Sequence, residues 1–328
     1  MARVVVVGSF NVDHVWHCDA LPHPGETRIG AYRTGPGGKG FNQATACART
    51  GAETVFVCAL GEDDGGRLAR SLAAADGIDL RVEAGDEPTG TAGIYVDREG
   101  RNSIVIGPGA NAALSAEFVT LQSEAIAGAR IVLAQLESPV ESVLEAMRLA
   151  RAAGIRTILN PAPANADSSR ELLAVADILT PNETEFAALL ARHTGERIDA
   201  AGVAEFDDAR LHRLCRTLLP RGTVVVTLGA AGAFVSHRED KCRGDDVAHY
   251  RVPAYDVATI DTTGAGDAFN GALATSLATA GDRVFADHVR FAAHYAALST
   301  EHEGAAAAMP RLAGRNGQAK ADSSLRPG

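Results

Sequence analysis

The chain has 328 residues, 46% of them hydrophobic and 22% charged, enough to bury one large core or a core with a small appendage. Its formal net charge of −10 excludes diffuse attraction to nucleic acid or to an acidic membrane surface, so an anionic ligand has to be held by a locally built site. Five scattered cysteines, with no CxxC pair, argue against a disulfide framework or a zinc site and fit reduced thiols in a cytoplasmic setting.

The chain opens with MARVVVVG, where one arginine leads straight into a β-branched run too brief for a signal segment. No apolar run approaches the ~18 residues of a membrane span. Short Val- and Ile-rich runs then recur at Val4–Gly8, Thr54–Leu60, Ile131–Glu137, Thr157–Pro161, Ile178–Pro181 and Thr223–Gly229. Segments with helical spacing follow them, among them Pro139–Ala153 and Asp207–Leu219. This alternation predicts an α/β fold, a largely parallel sheet with helices on both faces. A second texture occupies 11–34 and 89–106, where Thr91–Asp97 and Asn102–Ile106 read as hairpin strands around an Asp97–Gly100 turn. So short a sheet cannot bury both faces alone, which predicts a β lid that closes over the main domain and pairs with a second copy of the chain. Residues 1–310 thus read as one domain, and the polar stretch 311–328 as a disordered tail.

Candidate chemistry is spread along this frame. After the first strand, Gly8-Ser-Phe-Asn11-Val-Asp13 sets an amide and a carboxylate at a strand's carboxyl end, where ligands sit in open α/β sheets and where two such groups can grip vicinal hydroxyls. Gly35-Pro-Gly-Gly38-Lys39-Gly40-Phe-Asn42 opens a helix over Phe41–Thr50. It is no Walker A loop, because Gly40 stands where Ser or Thr follows the lysine, but it offers close backbone approach, a cation and an amide. Glu137 ends one strand, and Asn182 with Glu185 ends another at a capping-box spacing. Finally, Asp261-Thr-Thr-Gly264-Ala265-Gly266-Asp267 runs directly into a helix. The amides of Gly264, Ala265, Gly266 and Asp267 are then free to bind an anion at the helix N-terminus, with Asp267 beside it as a base.

In this order, GSFNVD, PGGKGFNQA, GANAALS, QLESP, NPAPA, TPNETE, TLGAAG and DTTGAGDAFNGALA resemble the ribokinase/PfkB sugar kinase family from Arg3 to about Pro310. The resemblance implies a three-layer α/β/α sandwich with a small β lid; the homodimer through that lid is expected from the short sheet alone. It also implies that Asn11, Asp13, Gly38, Lys39, Asn42 and Glu137 contact a sugar whose hydroxyl Asp267 deprotonates, while the 264–267 backbone holds the transferring phosphoryl group. Asn182 and Glu185 would organise Mg²⁺ through water, and Thr227, Gly229 and Gly232 would line the ATP site together with Asn182 and Gly266. A K⁺ site, as an activator, would use Asp261, Thr263, Ser299, His302 and Gly304. Here the chain departs from the family, with Ala308 in place of the usual Ser and Glu301-His302 in place of Thr-Arg. Phe41, where a small residue is usual, either packs into the core or trims the sugar pocket.

The function implied is an ATP-dependent sugar kinase, a phosphotransferase with an alcohol acceptor, and ribose is the leading acceptor. A nucleoside, deoxyribose or another small sugar is the nearest rival, since acceptor choice lies in a few pocket contacts. A nucleoside pocket would want aromatic surfaces, for which Phe10, Trp16 and Phe41 are the candidates. An NAD-dependent dehydrogenase is excluded by Val4–Phe10, which lacks G-x-G-x-x-G. A non-catalytic sugar sensor on the same fold has no need of the base, yet Asp267 is present with its whole turn.

Overall fold

A computed structural model of the protein describes residues 2–312. In chain order the strands are β1 (Arg3–Val7), β2 (Asn11–Cys18), β3 (Gly30–Gly37), β4 (Glu53–Gly61), β5 (Asp79–Gly85), β6 (Gly90–Val96), β7 (Asn102–Gly107), β8 (Ile131–Ala134), β9 (Arg156–Leu159), β10 (Ile178–Leu179), β11 (Thr223–Thr227), β12 (Ala233–Ser236) and β13 (His249–Val252). Nine of them form one sheet in the order β13-β12-β11-β10-β9-β8-β1-β4-β5. Every ladder from β11 across to β5 is parallel; the β11–β12 and β12–β13 ladders are antiparallel.

Both faces of this sheet are covered, which is why its central strands are unbroken runs of valine. Val5 and Val7 pack with the side holding the helices Val140–Ala152, Glu183–Thr194 and Asp208–Leu218. Val4 and Val6 pack on the other side, with Lys39–Arg49, Ala265–Thr279 and Phe285–Ser299. All four valines are fully buried, and each contributes about 1.5–3 kcal/mol of transfer free energy. The three-layer α/β/α architecture read from the sequence is therefore present. Each Val- and Ile-rich run lies in a strand, although β8 stops at Ala134 and β10 at Leu179, short of the polar residues expected to end them.

The remaining strands make a small sheet in the order β3-β2-β6-β7. The β6–β7 hairpin closes through a Gly100 N–H donated to Asp97 O at 3.0 Å. The lid's first hairpin runs on to Gly37, past the expected limit at residue 34. Alternation along β2 directs Asp13, Val15 and His17 into a cleft of about 730 Å³ between the lid and the segments around 260 and 304. The opposite face carries a stack in which the Trp16 ring lies 5.1 Å from Tyr32 and 5.3 Å from Tyr95. An ion pair from Arg33 to Glu303 spans lid and main domain. The tail expected to be disordered lies outside the described residues from 313 onward. Its first two residues are anchored, Arg311 pairing with Asp76 and Leu312 N–H donating to Arg49 O at 3.0 Å. Among the described residues no helix is long and apolar enough to cross a membrane.

Candidate active site

The helix Ala265–Thr279 starts from Gly264, whose φ of 77° carries no steric cost only for glycine. A Cβ there would also stand 2.8 Å from the Ala305 Cβ, so glycine lets the 304–308 loop pack directly behind the turn. The amides of Gly264, Gly266 and Asp267 have no hydrogen-bond partner among the described residues, which leaves three donors at the positive end of the helix dipole. Ala265 corrects the sequence expectation. Its N–H donates to Thr262 O at 3.2 Å and closes the turn, so it is not available to an anion.

Asp267 is only 6% exposed. Its Oδ2 accepts from Asn42 Nδ2 at 2.9 Å and its Oδ1 from Gln43 Nε2 at 2.9 Å. Burial pushes its pKa above the ordinary carboxylate value, against the opposing pull of the Lys39 ammonium and of the two amide donors. Such a carboxylate is a stronger base than an exposed one, and its donors keep the ionised form within reach.

The two amides reach Asp267 because the helices Lys39–Arg49 and Ala265–Thr279 touch at Gly271, where a Cβ would lie 2.5 Å from Ala46 Cβ and 2.6 Å from Gln43 O. Behind Gln43 runs a buried polar chain. Gln43 Nε2 also donates to Asn160 Oδ1 at 3.0 Å, and Asn160 Nδ2 to Thr180 O at 2.9 Å. Thr180 Oγ1 donates to Asn270 Oδ1 at 2.6 Å, and Asn270 Nδ2 returns to Gly266 O at 2.8 Å. Gln135 Nε2 donates to Gln43 Oε1, which fixes the Gln43 amide with its nitrogen toward Asp267.

The lid supplies Asn11 and Asp13, and the main domain the other facing groups. Asn111 clamps the start of β2: Phe10 N–H donates to its Oδ1 at 2.9 Å, and its Nδ2 donates to Phe10 O at 2.9 Å and to Asn11 Oδ1 at 2.8 Å. With its oxygen engaged, Asn11 has its Nδ2 to offer a ligand. Burial, and then the nearby Glu137 and Asp267 carboxylates, lift Asp13 to about 7. Glu137 Oε2 accepts from Ser9 Oγ at 2.6 Å and from the Lys39 N–H at 2.9 Å. Burial acts against the Lys39 charge, but Asp267, Glu137 and Glu185 outweigh it and raise the pKa, so the ammonium persists among them. Asn42 Oδ1 is buried without a protein partner, an acceptor suited to a ligand hydroxyl. Lys39, Asn182, Glu185, Thr227, Gly266 and Asp267 line one cavity of about 160 Å³.

Comparison with known proteins adds a family to this arrangement of a buried carboxylate beside a turn with unpartnered amides. Residues 1–312 match the family described as pfkB family carbohydrate kinase. The chain belongs to that family. It is 39% identical to the ribokinase of Haemophilus influenzae over 312 residues, covering 94% of this chain and 95% of that protein. It is 32% identical to the deoxyribokinase of Salmonella typhi, covering 94% and 96%. It spans 55% of the length of a bifunctional ribokinase/ribose-5-phosphate isomerase A of Fructilactobacillus sanfranciscensis, at 37% identity. Among solved structures, the ribokinase of Giardia lamblia superposes with a TM-score of 0.82 at 30% identity, covering 94% of this chain and 96% of that one.

In this carbohydrate kinase, a phosphotransferase acting on a sugar, the other expected site residues divide. Asn182 and Glu185 form a complete capping box: Asn182 Oδ1 accepts from Glu185 N–H at 2.8 Å and Glu185 Oε2 from Asn182 N–H at 2.9 Å. Burial raises the Glu185 pKa, and its position next to Lys39 also turns it toward the site. Gly229 and Gly232 lie past β11, outside the cavity that Thr227 lines, and Gly232 packs so closely that a Cβ would meet Val252 O at 2.1 Å. Asp261 accepts from Thr263 N–H at 2.9 Å and Thr263 Oγ1 at 2.6 Å through Oδ1, and from Gly304 N–H at 2.9 Å through Oδ2. The Ser299 hydroxyl turns back to Ala296 O at 2.7 Å, and His302 is exposed. Phe41 takes its bland alternative: it is buried against Phe10, ring centroids 5.1 Å apart. Sequence reasoning passed over Gln43, Asn111, Gln135, Asn160 and Asn270. All five stand inside the quoted motifs PGGKGFNQA, GANAALS, QLESP, NPAPA and DTTGAGDAFNGALA, so amide side chains recurring at strand ends and helix starts were the available signal.

Proposed function

We propose that the protein transfers the γ-phosphoryl group of ATP to the primary hydroxyl of D-ribose, giving D-ribose 5-phosphate and ADP. The observation that carries this reading is the buried Asp267 carboxylate, fixed by Asn42 and Gln43 at a turn with free amides. Asp267 takes the hydroxyl proton as the hydroxyl oxygen bonds to the γ-phosphorus, and the bond from that phosphorus to the β,γ-bridging oxygen breaks, leaving ADP. Gly264, Gly266 and Asp267 amides hold the charge that gathers on the transferring group. Asn11, Asp13, Lys39 and Asn42 orient the sugar, with Gly38 allowing close backbone approach and Glu137 steadying the Lys39 segment. Thr227, Gly229 and Gly232 are the residues assigned to the nucleotide.

The donor set suits Mg²⁺ carried mainly by phosphates and water. Glu185 keeps Oε1 outside its capping bond, and no cluster of three metal-ligating side chains exists among the described residues. When bound, Mg²⁺ neutralises phosphate charge; Asn182 and Glu185 would hold its waters. For K⁺, the Asp261 carboxylate draws the 261–263 and 304 segments together, and a cation there would be held by Asp261 with carbonyls of Thr263, Ser299, His302 and Gly304. A homodimer through the lid and a cytoplasmic setting complete the reading, supported by the aromatic outer face of the lid and by free cysteines.

A deoxyribose acceptor is the second reading, favoured by the similarity to a deoxyribokinase. A nucleoside fits less well, because Phe10 and Phe41 are core residues and Trp16 lies on the lid face away from Asp13. The test is ADP release from Mg·ATP with ribose, deoxyribose, fructose, adenosine and inosine, in K⁺ and then Na⁺. Selective ribose turnover supports the proposal; preference for another acceptor overturns it while leaving Asp267 in place.

A further inference from the structure

The catalytic groups follow the carboxyl ends of the parallel strands. At the opposite edge, a cleft of about 1120 Å³ is lined by Arg130, Arg151, Arg156, Lys241 and Arg243, with Asp177 as its one carboxylate. Arg130 directly precedes β8, Arg156 begins β9 and Asp177 precedes β10, so the parallel register itself brings these residues side by side. A chain of net charge −10 has here a concave surface of the opposite sign.

Local pairing does not account for the charge. Asp177 is already engaged, its Oδ2 accepting from Thr157 N–H at 3.0 Å and its Oδ1 only 3.5 Å from Arg151. Helices ending at Ala127, Ala152 and Thr279 turn their negative poles toward the cleft, about half a charge each, which with Asp177 still falls short of five cations. Arg130, Arg156 and Lys241 have no side-chain partner among the described residues. Arg243 is built in: its φ of 55° is the one positive value for a non-glycine residue among the described residues, and its guanidinium donates to Thr223 Oγ1 at 2.8 Å and Asp177 O at 2.9 Å. Burial, and after it the neighbouring Arg156, hold its pKa down to about 10 against the pull of Asp177.

We infer that this cleft at the amino ends of β8–β10 binds a small, multiply charged phosphate compound at a site separate from the catalytic cleft. Guanidinium groups converging on a concavity match phosphate oxygens by paired donors, and the net charge of −10 on the chain as a whole disfavours an extended nucleic-acid backbone, which leaves a small anion. The inference does not depend on which sugar is the acceptor.

Inorganic tripolyphosphate serves as the probe, titrated calorimetrically into the full chain with saturating ADP to occupy the nucleotide site. The expected result is a single site that weakens about tenfold or more in R156Q/K241Q, with unliganded turnover unchanged. R130Q, at an exposed position, gives the same reading if the double variant folds poorly. Inorganic phosphate and ribose 5-phosphate titrated in parallel distinguish free phosphate from a phosphate ester, and binding of either that is lost in the variants supports the site. Equal affinity in wild type and variants, heat reproduced by NaCl at the same ionic strength, or tighter binding of a DNA duplex overturns the inference.

Discussion

Replacing Asp267 by Asn isolates the proposed base. Asn is isosteric, but its amide nitrogen must face one of two donors, Asn42 Nδ2 or Gln43 Nε2, each now 2.9 Å from a carboxylate oxygen. A buried donor facing a donor costs about 1–3 kcal/mol if nothing moves. Gln43 is held by Gln135 and Asn160, but Asn42 has a free Oδ1 and restores the bond by turning its amide over. Removing a buried carboxylate also relieves the desolvation that raises its pKa. The fold is therefore expected to change by about 1 kcal/mol or less, a Tm shift of roughly 2–4 °C at most. Turnover is a different matter: loss of a general base lowers kcat by roughly 10²–10⁴, about 3–5 kcal/mol of barrier. Steady-state ADP release together with thermal melting and sugar binding separates the two effects. A kcat within a few-fold of the parent enzyme would refute Asp267 as base, and a large fall in Tm with weak sugar binding would refute the argument from amide rotation.

Lys39→Met leaves Asp267, Glu137 and Glu185 without their shared cation. Stability at pH 8 is expected to fall by roughly 2–4 kcal/mol in urea unfolding, recovering partly at pH 5 as carboxylates protonate; no loss at pH 8 argues against the charge cluster. Gly271→Ala drives a Cβ to 2.5 Å from Ala46 and forces the two helices apart, costing about 1–3 kcal/mol and lowering kcat because Asn42 and Gln43 retreat from the base. A Tm loss without a kcat loss would show that the helix contact does not position the base. Asp13 has a folded pKa raised from 3.8 to about 7, so its contribution to stability is complete below pH 3.8 and disappears as pH rises through 7. Asp13→Asn should flatten that fall in stability between pH 4 and 7 and raise the sugar KM; an unchanged pH–stability profile would contradict the raised pKa.

Much of this protein was legible in the chain itself. Runs such as Val4–Val7 declare a sheet covered on both sides because only burial on both faces tolerates consecutive valines, and glycine followed by a helix start declares a turn whose backbone amides lack partners. The edge strands β5 and β13 were not legible, since a half-exposed edge carries no continuous apolar signal, and β12, though buried, is only four residues long. The limits of sequence reading are clearest around Asp267. The motif supplied the carboxylate and its turn, but Asn42, Gln43, Asn160 and Asn270 meet around it only after two helices and two strand ends pack together. The Ala265 N–H was assigned by pattern and Phe41 left open by it, and each was decided by a local contact that pattern does not encode. The cationic cleft is the extreme case: Arg130, Arg156 and Arg243 are scattered along an acidic sequence. The register of parallel strands, which places the starts of β8, β9 and β10 side by side, makes Arg130 and Arg156 neighbours, and Arg243 joins them through its bonds to Thr223 Oγ1 and Asp177 O.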